Sequence, residues 1–271
     1  MINNYNFEQK FKLANISSII LVLISILMIF FKGLNFGIDF KGGTLMELRC
    51  DSSNVQIGDV RSSFNQLDLG DINVKEFGKK GDYLIKFERK NFDDKVSIKI
   101  IKERVSSELQ GNVDFRRVEN VGPKVSEELL KSGLLAISLA LAAMLFYIWV
   151  RFEWQFSIGS IIAIFHDVLI TIGLFSLLSL EINLSIVAAV LTIVGYSMND
   201  TVVIYDRIRE NLTKYSSLKI GEISNKSINE TLSRTIITST TTLLALVSIF
   251  ILGGEILKGF SLAMIIGVII G

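Results

Sequence analysis

Long apolar runs and short polar connections alternate along most of the chain, and one long polar stretch separates the first run from the others. The complete runs have about 17 to 25 residues, the length range in which a helix crosses roughly 30 Å of hydrocarbon. The pattern therefore predicts a multispan membrane protein. The predicted spans are 15–31, 133–150, 156–180, 183–204 and 235–252, with the start of a sixth at 259–271. Since this sixth run is too short to cross the bilayer, we expect its helix to continue beyond residue 271.

The polar stretch 32–132 has a pattern of its own. Strand-like segments occur at "GTLMELRC", "INVKEF", "YLIKFER" and "VDFRRVEN", and "GKKGD" is a hairpin signal between the second and the third. Amphipathic helical patterns cover 55–67 and 93–109. The order β-α-β-β-α-β predicts a small α/β domain with the ferredoxin-like arrangement.

Composition agrees with this class and excludes others. Half of the residues are hydrophobic and the mean hydropathy is +0.49, which is too apolar for an ordinary soluble domain. The net charge of +1 gives no basic signal for nucleic acid. The chain has one cysteine and one histidine, so an internal disulfide and a Cys or His metal cluster are excluded. We expect no cofactor and no metal.

Basic residues predict the orientation of the spans. Lys10 and Lys12 precede the first span, Arg151 follows the second, and further Lys and Arg crowd the segment 205–234. Residues 1–14 and 205–234 are therefore predicted to be cytoplasmic. The first run is long and lacks an A-x-A site, which favours an uncleaved anchor over a signal peptide. The predicted fold class is a polytopic α-helical membrane protein of six transmembrane helices with a small extracytoplasmic α/β ferredoxin-like domain.

Ionisable residues inside two predicted spans are the main functional candidates, because such residues are costly in hydrocarbon. His166 and Asp167 lie in the third span, and Asn199 and Asp200 lie in the fourth. These two spans are joined by a short loop, so all four side chains could share one cluster. Small and polar residues four apart suggest inward-facing stripes on both spans: Gly159, Ala163, Asp167 and Thr171 on one, and Ala188, Thr192, Tyr196 and Asp200 on the other.

The candidate chemistry is proton binding. Arg234, at the start of the fifth span, is the expected cation for Asp200. Burial raises the pKa of a carboxyl group and a nearby cation lowers it, so a balanced site can exchange protons near neutral pH. The alternative interpretation is that the polar residues only hold the helices together. For Asp206 and Arg207, a solvated end that sets the topology is the first interpretation.

Two further motifs flank the predicted domain. "GLNFGIDFKGG" is rich in glycine but is not a phosphate-binding loop, and it indicates a turn in which Asp39 is the one candidate side chain. "VGPKVSEELL" places Pro123 in the first turn of a helix before the second span. "GVIIG" at 267–271 has the G-x-x-x-G spacing of packed membrane helices, which is a weak signal.

Together the motifs resemble the SecD/SecF family of the RND superfamily, and within it the SecF subunits of the bacterial Sec protein translocase. The resemblance runs in order through "GIDFKGG", "VGPKVSEELL", "FHDV", "SMNDTVVIYDRIREN", "LSRTIITSTTTLL" and "GFSLAMIIGVIIG". The matching family-motif positions at the two ends of the domain are Gly37, Asp39, Gly42, Gly43, Gly122 and Pro123.

This resemblance implies half of a pseudo-symmetric, pump-like assembly whose other half is SecD. It implies work with the SecYEG channel and YajC on a translocating preprotein, driven by the proton gradient, at the bacterial inner membrane. The acidic residue of "NDT" corresponds to Asp200 and the arginine of "SRT" to Arg234, which the family links to proton movement. Asp206 and Arg207 match a "DR" pair of less certain role.

Three alternatives remain open at this point. Another RND-type exporter half would share the fold, although its soluble domains would be larger. An intramembrane aspartyl protease could use Asp167 and Asp200, but a Gly-x-Gly-Asp signature is absent before Asp200. A structural adaptor would use the polar cluster only to hold helices together.

Overall fold

The computed structural model describes residues 5–50, 55–67, 69–70, 72–76, 78–87, 94–109 and 113–271. It has two compact units, Phe36–Leu134 and the remainder of the chain, Met1–Asn35 with Leu135–Gly271. In chain order the elements are a short 3-10 turn (Glu8–Lys10), α1 (Phe11–Lys32), β1 (Asn35–Phe36), α2 (Ile38–Lys41), β2 (Gly43–Cys50), α3 (Ile57–Asn65), β3 (Ile72–Glu76), β4 (Asp82–Phe87), α4 (Asp94–Glu108), β5 (Val113–Val121), α5 (Pro123–Arg151), α6 (Trp154–Leu177), β6 (Glu181–Ile182), α7 (Leu184–Lys214), α8 (Ile220–Leu252) and α9 (Glu255–Ile270).

The smaller unit is a four-stranded antiparallel sheet with strand order β3-β4-β2-β5 and helices α3 and α4 between its strands. This is the ferredoxin-like arrangement that the sequence predicts. Alternate residues of each strand point to the helices because side chains alternate across a sheet. The buried core consists of Met46, Leu48, Cys50, Val60, Phe64, Val74, Tyr83, Ile85, Phe87, Ile101, Val105 and Leu109. Residue 93, the predicted start of the second helix, lies outside the described residues.

The opposite face of this sheet carries a buried carboxylate. Asp82 is 5% exposed and accepts two hydrogen bonds from the Arg49 guanidinium, with Arg116 3.8 Å away. The hydrogen bond from Arg49 is the main reason that the pKa of Asp82 lies below its usual value. On the same strand, burial and the charge of Lys75 lower the pKa of Lys86 to about 8, against a smaller raising effect of Asp39.

The two family motifs meet within this unit. Gly43 has φ +129°, and a Cβ there would lie 2.8 Å from the carbonyl oxygen of Phe87, so only glycine fits. Gly42 packs beside Pro123 at the start of α5, and Ser126 donates a hydrogen bond to the Ile38 carbonyl in α2. The glycine-rich turn and the start of α5 are therefore one packed corner.

The larger unit is a helix bundle. Among the described residues, five helices are long and apolar enough to cross a membrane: Glu8–Lys32, Pro123–Arg151, Trp154–Leu177, Leu184–Lys214 and Ile220–Leu252. A shorter apolar helix, Ile256–Ile270, follows. The predicted fold class, a polytopic helical membrane protein with a small α/β domain, is confirmed.

Helices α6 and α7 form the centre of this bundle, since they are its most buried candidate spans. On one side, Gly173 of α6 lies against Ser25 of α1, close enough that a Cβ would overlap the serine. On another side, a Cβ at Gly267 of α9 would lie 2.5 Å from Ile193 of α7. Close backbone approach at small residues is how membrane helices pack, so "GVIIG" is a packing surface here.

The helices extend past the predicted spans. The segment 205–234 is helical except at 215–219, because α7 continues to Lys214 and α8 begins at Ile220. Hydropathy predicts where a helix leaves hydrocarbon, not where its hydrogen bonds end. The polar part of α8 also has a partner: Asn229 donates to the Tyr5 carbonyl and accepts from the Tyr5 amide, both at 2.8 Å.

Candidate functional site

Asp167 is held at the contact between α6 and α7. Its side chain is 4% exposed, and its Oδ2 accepts a hydrogen bond from the Ser197 hydroxyl of α7 at 2.5 Å. Ser197 is itself buried. Above them, Thr171 donates to the Asp167 backbone carbonyl at 2.8 Å. The carboxylate that the sequence places in the third span is therefore bonded directly to the next helix.

His166 completes this group. Its Nδ1 lies 2.8 Å from Asp167 Oδ1, so the carboxylate is engaged through both oxygens. The other ring nitrogen, Nε2, is buried and has no hydrogen-bond partner within the described part of the chain. The structure thus brings together His166, Asp167 and a residue that sequence reasoning missed, Ser197.

Asp200 lies one turn further along α7 and is only half-buried. Its Oδ1 is buried, yet no described residue forms a hydrogen bond with that atom. Arg234 is near enough for its charge to act on Asp200, but the described residues contain no ion pair between them within 4.0 Å. The Arg234 residue is exposed. Arg234 therefore acts on Asp200 through space, and the two residues do not form the predicted salt bridge.

The register between α7 and α8 shows what faces Asp200. The Tyr196 hydroxyl bonds Ser239 Oγ at 3.2 Å. Four residues on in one helix and four back in the other, Asp200 and Thr235 come to the same level. Thr235 Oγ1 is likewise buried and without a hydrogen-bond partner in the described segments. Two unpaired polar atoms therefore occur at one level of the α7–α8 contact.

Asn199 is not part of this site. It is exposed on α7, whereas the sequence predicted it inside the cluster. Of the predicted stripe on α7, Ala188 and Thr192 are exposed, whereas Tyr196 and Asp200 are half-buried. The buried face instead includes Ala189, Ile193 and Ser197. Choosing the small and polar residues gave the correct 3.6-residue period but rotated the face by one position.

Asp206 and Arg207 belong to a separate polar network at the ends of the helices. Arg151 of α5 lies 3.2 Å from Asp206, and Arg207 donates to Glu230 of α8 at 2.6 Å. Asn211 is buried and donates to Glu230 at 2.7 Å and to Ser227 at 3.0 Å. These contacts tie α7 to its neighbours α5 and α8.

Among the described residues, these polar groups form neither a metal cluster nor a pair of carboxylates that share a proton. In the described part of the chain, no group of three or more His, Cys, Asp or Glu could hold a metal ion. An aspartyl protease would need two carboxylates that share a proton. The hydrogen bonds of Asp167 go to His166 and Ser197, which leaves Asp200 as a separate carboxylate.

Family comparison supplies the context for these residues. The model of the C-terminal region of SecD/SecF protein export membrane proteins matches residues 101–271, and the SecD/SecF GG motif matches residues 27–53. The chain belongs to the SecD/SecF family. The predicted resemblance is confirmed, and the GG motif match covers the corner that contains Gly42 and Gly43.

Relatives named protein translocase subunit SecF match almost the whole chain. The protein of Rickettsia bellii (strain OSU 85-389) is 44% identical over 269 residues, which are 99% of this chain and 88% of the relative. The protein of Cereibacter sphaeroides is 44% identical over 264 residues, 94% of this chain and 81% of the relative. The chain thus falls among the SecF protein translocase subunits of the SecD/SecF family, with a transport role and a multi-pass membrane structure.

Solved structures of the family share the fold. The crystal structure of SecDF, a translocon-associated membrane protein from Thermus thermophilus, matches with a TM-score of 0.88 and 35% identity over 100% of this chain and 37% of its own length. SecDF in a super-membrane-facing form matches with a TM-score of 0.71 and 34% identity, over 98% and 36%. This chain therefore spans little more than a third of a SecDF chain.

Proposed function

We propose that this chain works with SecD as an accessory subunit that uses the proton gradient to assist preprotein export across the bacterial inner membrane. The names of its relatives support the export role, and the length of SecDF supports a separate SecD half as the partner. The proposal includes the SecYEG channel, YajC and the translocating preprotein as partners. It places the N-terminus in the cytoplasm, because basic residues flank the predicted cytoplasmic ends.

The observation that carries the proposal is the unpaired Oδ1 of Asp200. An ionised carboxylate buried in a helix bundle normally has hydrogen-bond donors or a close cation. Here Arg234 acts from a distance and leaves the buried oxygen without a partner among the described residues. Such a carboxyl group is stabilised either by taking up a proton or by approaching the cation. Its surroundings therefore favour two states, one protonated and one paired with the cation.

The cycle that follows has two steps. Protonation of Asp200 removes its charge and ends its attraction to Arg234, so that α7 and α8 can repack around Thr235. Deprotonation restores the attraction. A potential of 100 mV supplies about 2.3 kcal/mol per charge that crosses the membrane, which is enough for a few protons to bias a domain movement of several kcal/mol.

The test replaces Asp200 by Asn, which keeps the size of the side chain and removes its proton exchange. We expect loss of the gradient-dependent part of export in cells that assemble the variant with SecD at normal levels. Asn199→Ala is the matched control, because the neighbouring residue is exposed and outside the site. Normal gradient-dependent export by the assembled Asp200→Asn variant would contradict the proposal.

A further inference from the structure

The group of His166, Asp167 and Ser197 is not explained by the cycle at Asp200. Burial of three polar side chains within the bundle costs free energy unless each has a hydrogen-bond partner. A polar atom without a partner is therefore a candidate for function. Asp167 has two partners, at 2.8 Å and 2.5 Å, and Ser197 has one. His166 Nε2 is the atom left over, since it is buried and no described residue bonds it.

Hydrogen-bond chemistry fixes the roles within this group. With Asp167 ionised, its carboxylate only accepts hydrogen bonds, so the Ser197 hydroxyl and His166 Nδ1 both donate to it. In a neutral imidazole whose proton is on Nδ1, Nε2 carries a free lone pair. The carboxylate therefore holds the ring in the tautomer that presents a proton acceptor at Nε2.

We infer that His166 is a second proton-accepting residue of the membrane unit, with Asp167 and Ser197 as the positioning residues that couple its charge to α7. A proton from water adds to Nε2 and forms an imidazolium next to the Asp167 carboxylate, and release of the same proton restores the neutral ring. The O–H bond of a hydronium ion breaks as this N–H bond forms and leaves water, and no other bond changes. Its role in export rests on the proposed function, whereas protonation of the ring does not.

The surroundings leave Asp167 as the charged partner of this imidazole. From α7 the nearest polar contact is Ser197, and Asp200 follows one turn later. After the end of α9, Gly271 faces this carboxylate: a Cβ there would lie 2.9 Å from Asp167 Oδ2. From α5, apolar Ile148 shares a buried cluster with Ile164 of α6, and from α1 Ser25 faces Gly173. Within the described residues, the only ion pair of Asp167 is with His166.

The coupling to α7 follows from the shared carboxylate. Charge-assisted hydrogen bonds are stronger than neutral ones. When the imidazole becomes charged, it draws on the same carboxylate that holds Ser197, so the bond between α6 and α7 weakens. Ser197 and Asp200 are three residues apart, about 4.5 Å along the helix axis. A change in the charge of His166 therefore alters a hydrogen bond on α7 directly beside the proposed proton site.

The chain offers a direct test because it contains a single histidine. We would label histidine with ¹⁵N in the full chain, assemble it with SecD in lipid vesicles and record the imidazole nitrogens by solid-state NMR. The expected spectrum is a neutral ring with its proton on Nδ1 at the highest pH of the series and a charged ring at the lowest pH. A ring that carries its proton on Nε2, or that keeps one state over this range, would overturn the inference.

A matched pair of variants tests the coupling. Ser197→Ala removes the hydroxyl, and Ser197→Thr keeps it. We expect Ser197→Ala to shift the pH at which the imidazole titrates and to change the pH profile of gradient-dependent export, and we expect Ser197→Thr to restore both. Unchanged titration and pH profile in Ser197→Ala, or equal defects in both variants, would overturn the coupling.

The outcome at Asp200 is separate. In one outcome, Asp200→Asn removes gradient-dependent export, and His166→Gln leaves the rate and the pH profile of that export unaltered. The proposed function then stands, and the role of His166 is refuted. If Asp200→Asn exports normally while the imidazole titrates as expected, the proposed function fails and His166 remains a proton acceptor. We expect His166→Gln to assemble normally and to reduce the rate of gradient-dependent export severalfold.

Discussion

The two units of the molecule treat a buried carboxylate in opposite ways. In the α/β unit, Asp82 is almost fully buried and receives two hydrogen bonds from Arg49, with Arg116 close by. In the helix bundle, Asp200 is half-buried, and its buried oxygen has no hydrogen-bond partner among the described residues. The charge of Arg234 acts on it only from a distance. Both residues have an arginine in reach, but only one of the two pairs is closed.

In the function proposed above, this difference separates a structural carboxylate from a functional one. A closed pair loses stability if the protonation state of either partner changes, so it stabilises a single structure. An open pair has a smaller preference for its charged form and can change state at a modest cost. Asp167 is intermediate, because its hydrogen bonds go to the Ser197 hydroxyl and the His166 imidazole and not to an arginine.

The largest stability effect is expected at the closed pair. Asp82→Ala removes the carboxylate that accepts two hydrogen bonds from Arg49 and should destabilise the α/β unit by about 2–3 kcal/mol, the usual loss for hydrogen bonds to charged groups. Hydrogen exchange of the β2 and β4 amides in the full chain measures this. Asp114→Ala is the control, because Asp114 is an exposed partner of Arg116 at 3.9 Å and should change stability by less than about 0.5 kcal/mol.

The pH dependence of the same pair has a defined sign. Since the pKa of Asp82 is lowered in the folded unit, its contribution is complete above the ordinary carboxyl pKa of about 3.9 and is lost as the pH falls through the folded value. Hydrogen exchange at a series of acidic pH values should show this loss in the wild type. Asp82→Asn should remove it, and an equal acid dependence in that variant would show that another group is responsible.

A satisfied polar residue of the bundle should behave like Asp82 and unlike Asp200. Asn211 is 1% exposed and donates to Ser227 and Glu230. Asn211→Ala should destabilise the α7–α8 contact by about 1–2 kcal/mol, since the loss concerns one buried amide. Thermal unfolding of the full chain in detergent measures it, with Asn199→Ala as the exposed control. Equal midpoints for the two variants would contradict the assignment.

The smallest effect is expected at Lys86. Because its folded pKa is about 8, the unfolded chain binds more protons than the folded unit above that pH. Stability should therefore rise by on the order of 1 kcal/mol between about pH 8 and pH 10. Lys86→Met should make the unit more stable at neutral pH and flatten this rise, as measured by hydrogen exchange. A rise of the same size in Lys86→Met would assign it to a different group.

The sequence predicts the parts of this structure that repeat or alternate. Strand alternation and turn residues were enough for the ferredoxin-like order, because each strand buries one face. Apolar runs were enough for the membrane helices, although not for the ends of α7 and α8. Those ends continue as polar helix, because Arg207 and Asn211 bond to α8 and Asn229 holds the segment at Tyr5.

The site was predicted less completely. Asp167 and Asp200 stand out because a carboxylate in an apolar run is rare. Ser197 gives no such signal, since a serine in a membrane helix commonly bonds its own backbone, and only the packing of α6 on α7 places it at Asp167. The exposed position of Asn199 depends on the rotation of α7, which four-residue spacing does not determine to within one position.

The most direct test of the account compares the two carboxylates by function. Export into sealed vesicles would be measured with and without an imposed proton gradient, for Asp200→Asn and Asp82→Asn assembled to equal levels with SecD. We predict that Asp200→Asn loses the stimulation by the gradient, while Asp82→Asn keeps it at a temperature where the unit stays folded. Equal stimulation of the two variants would contradict the account, because the open carboxylate would then have no more part in coupling than the closed one.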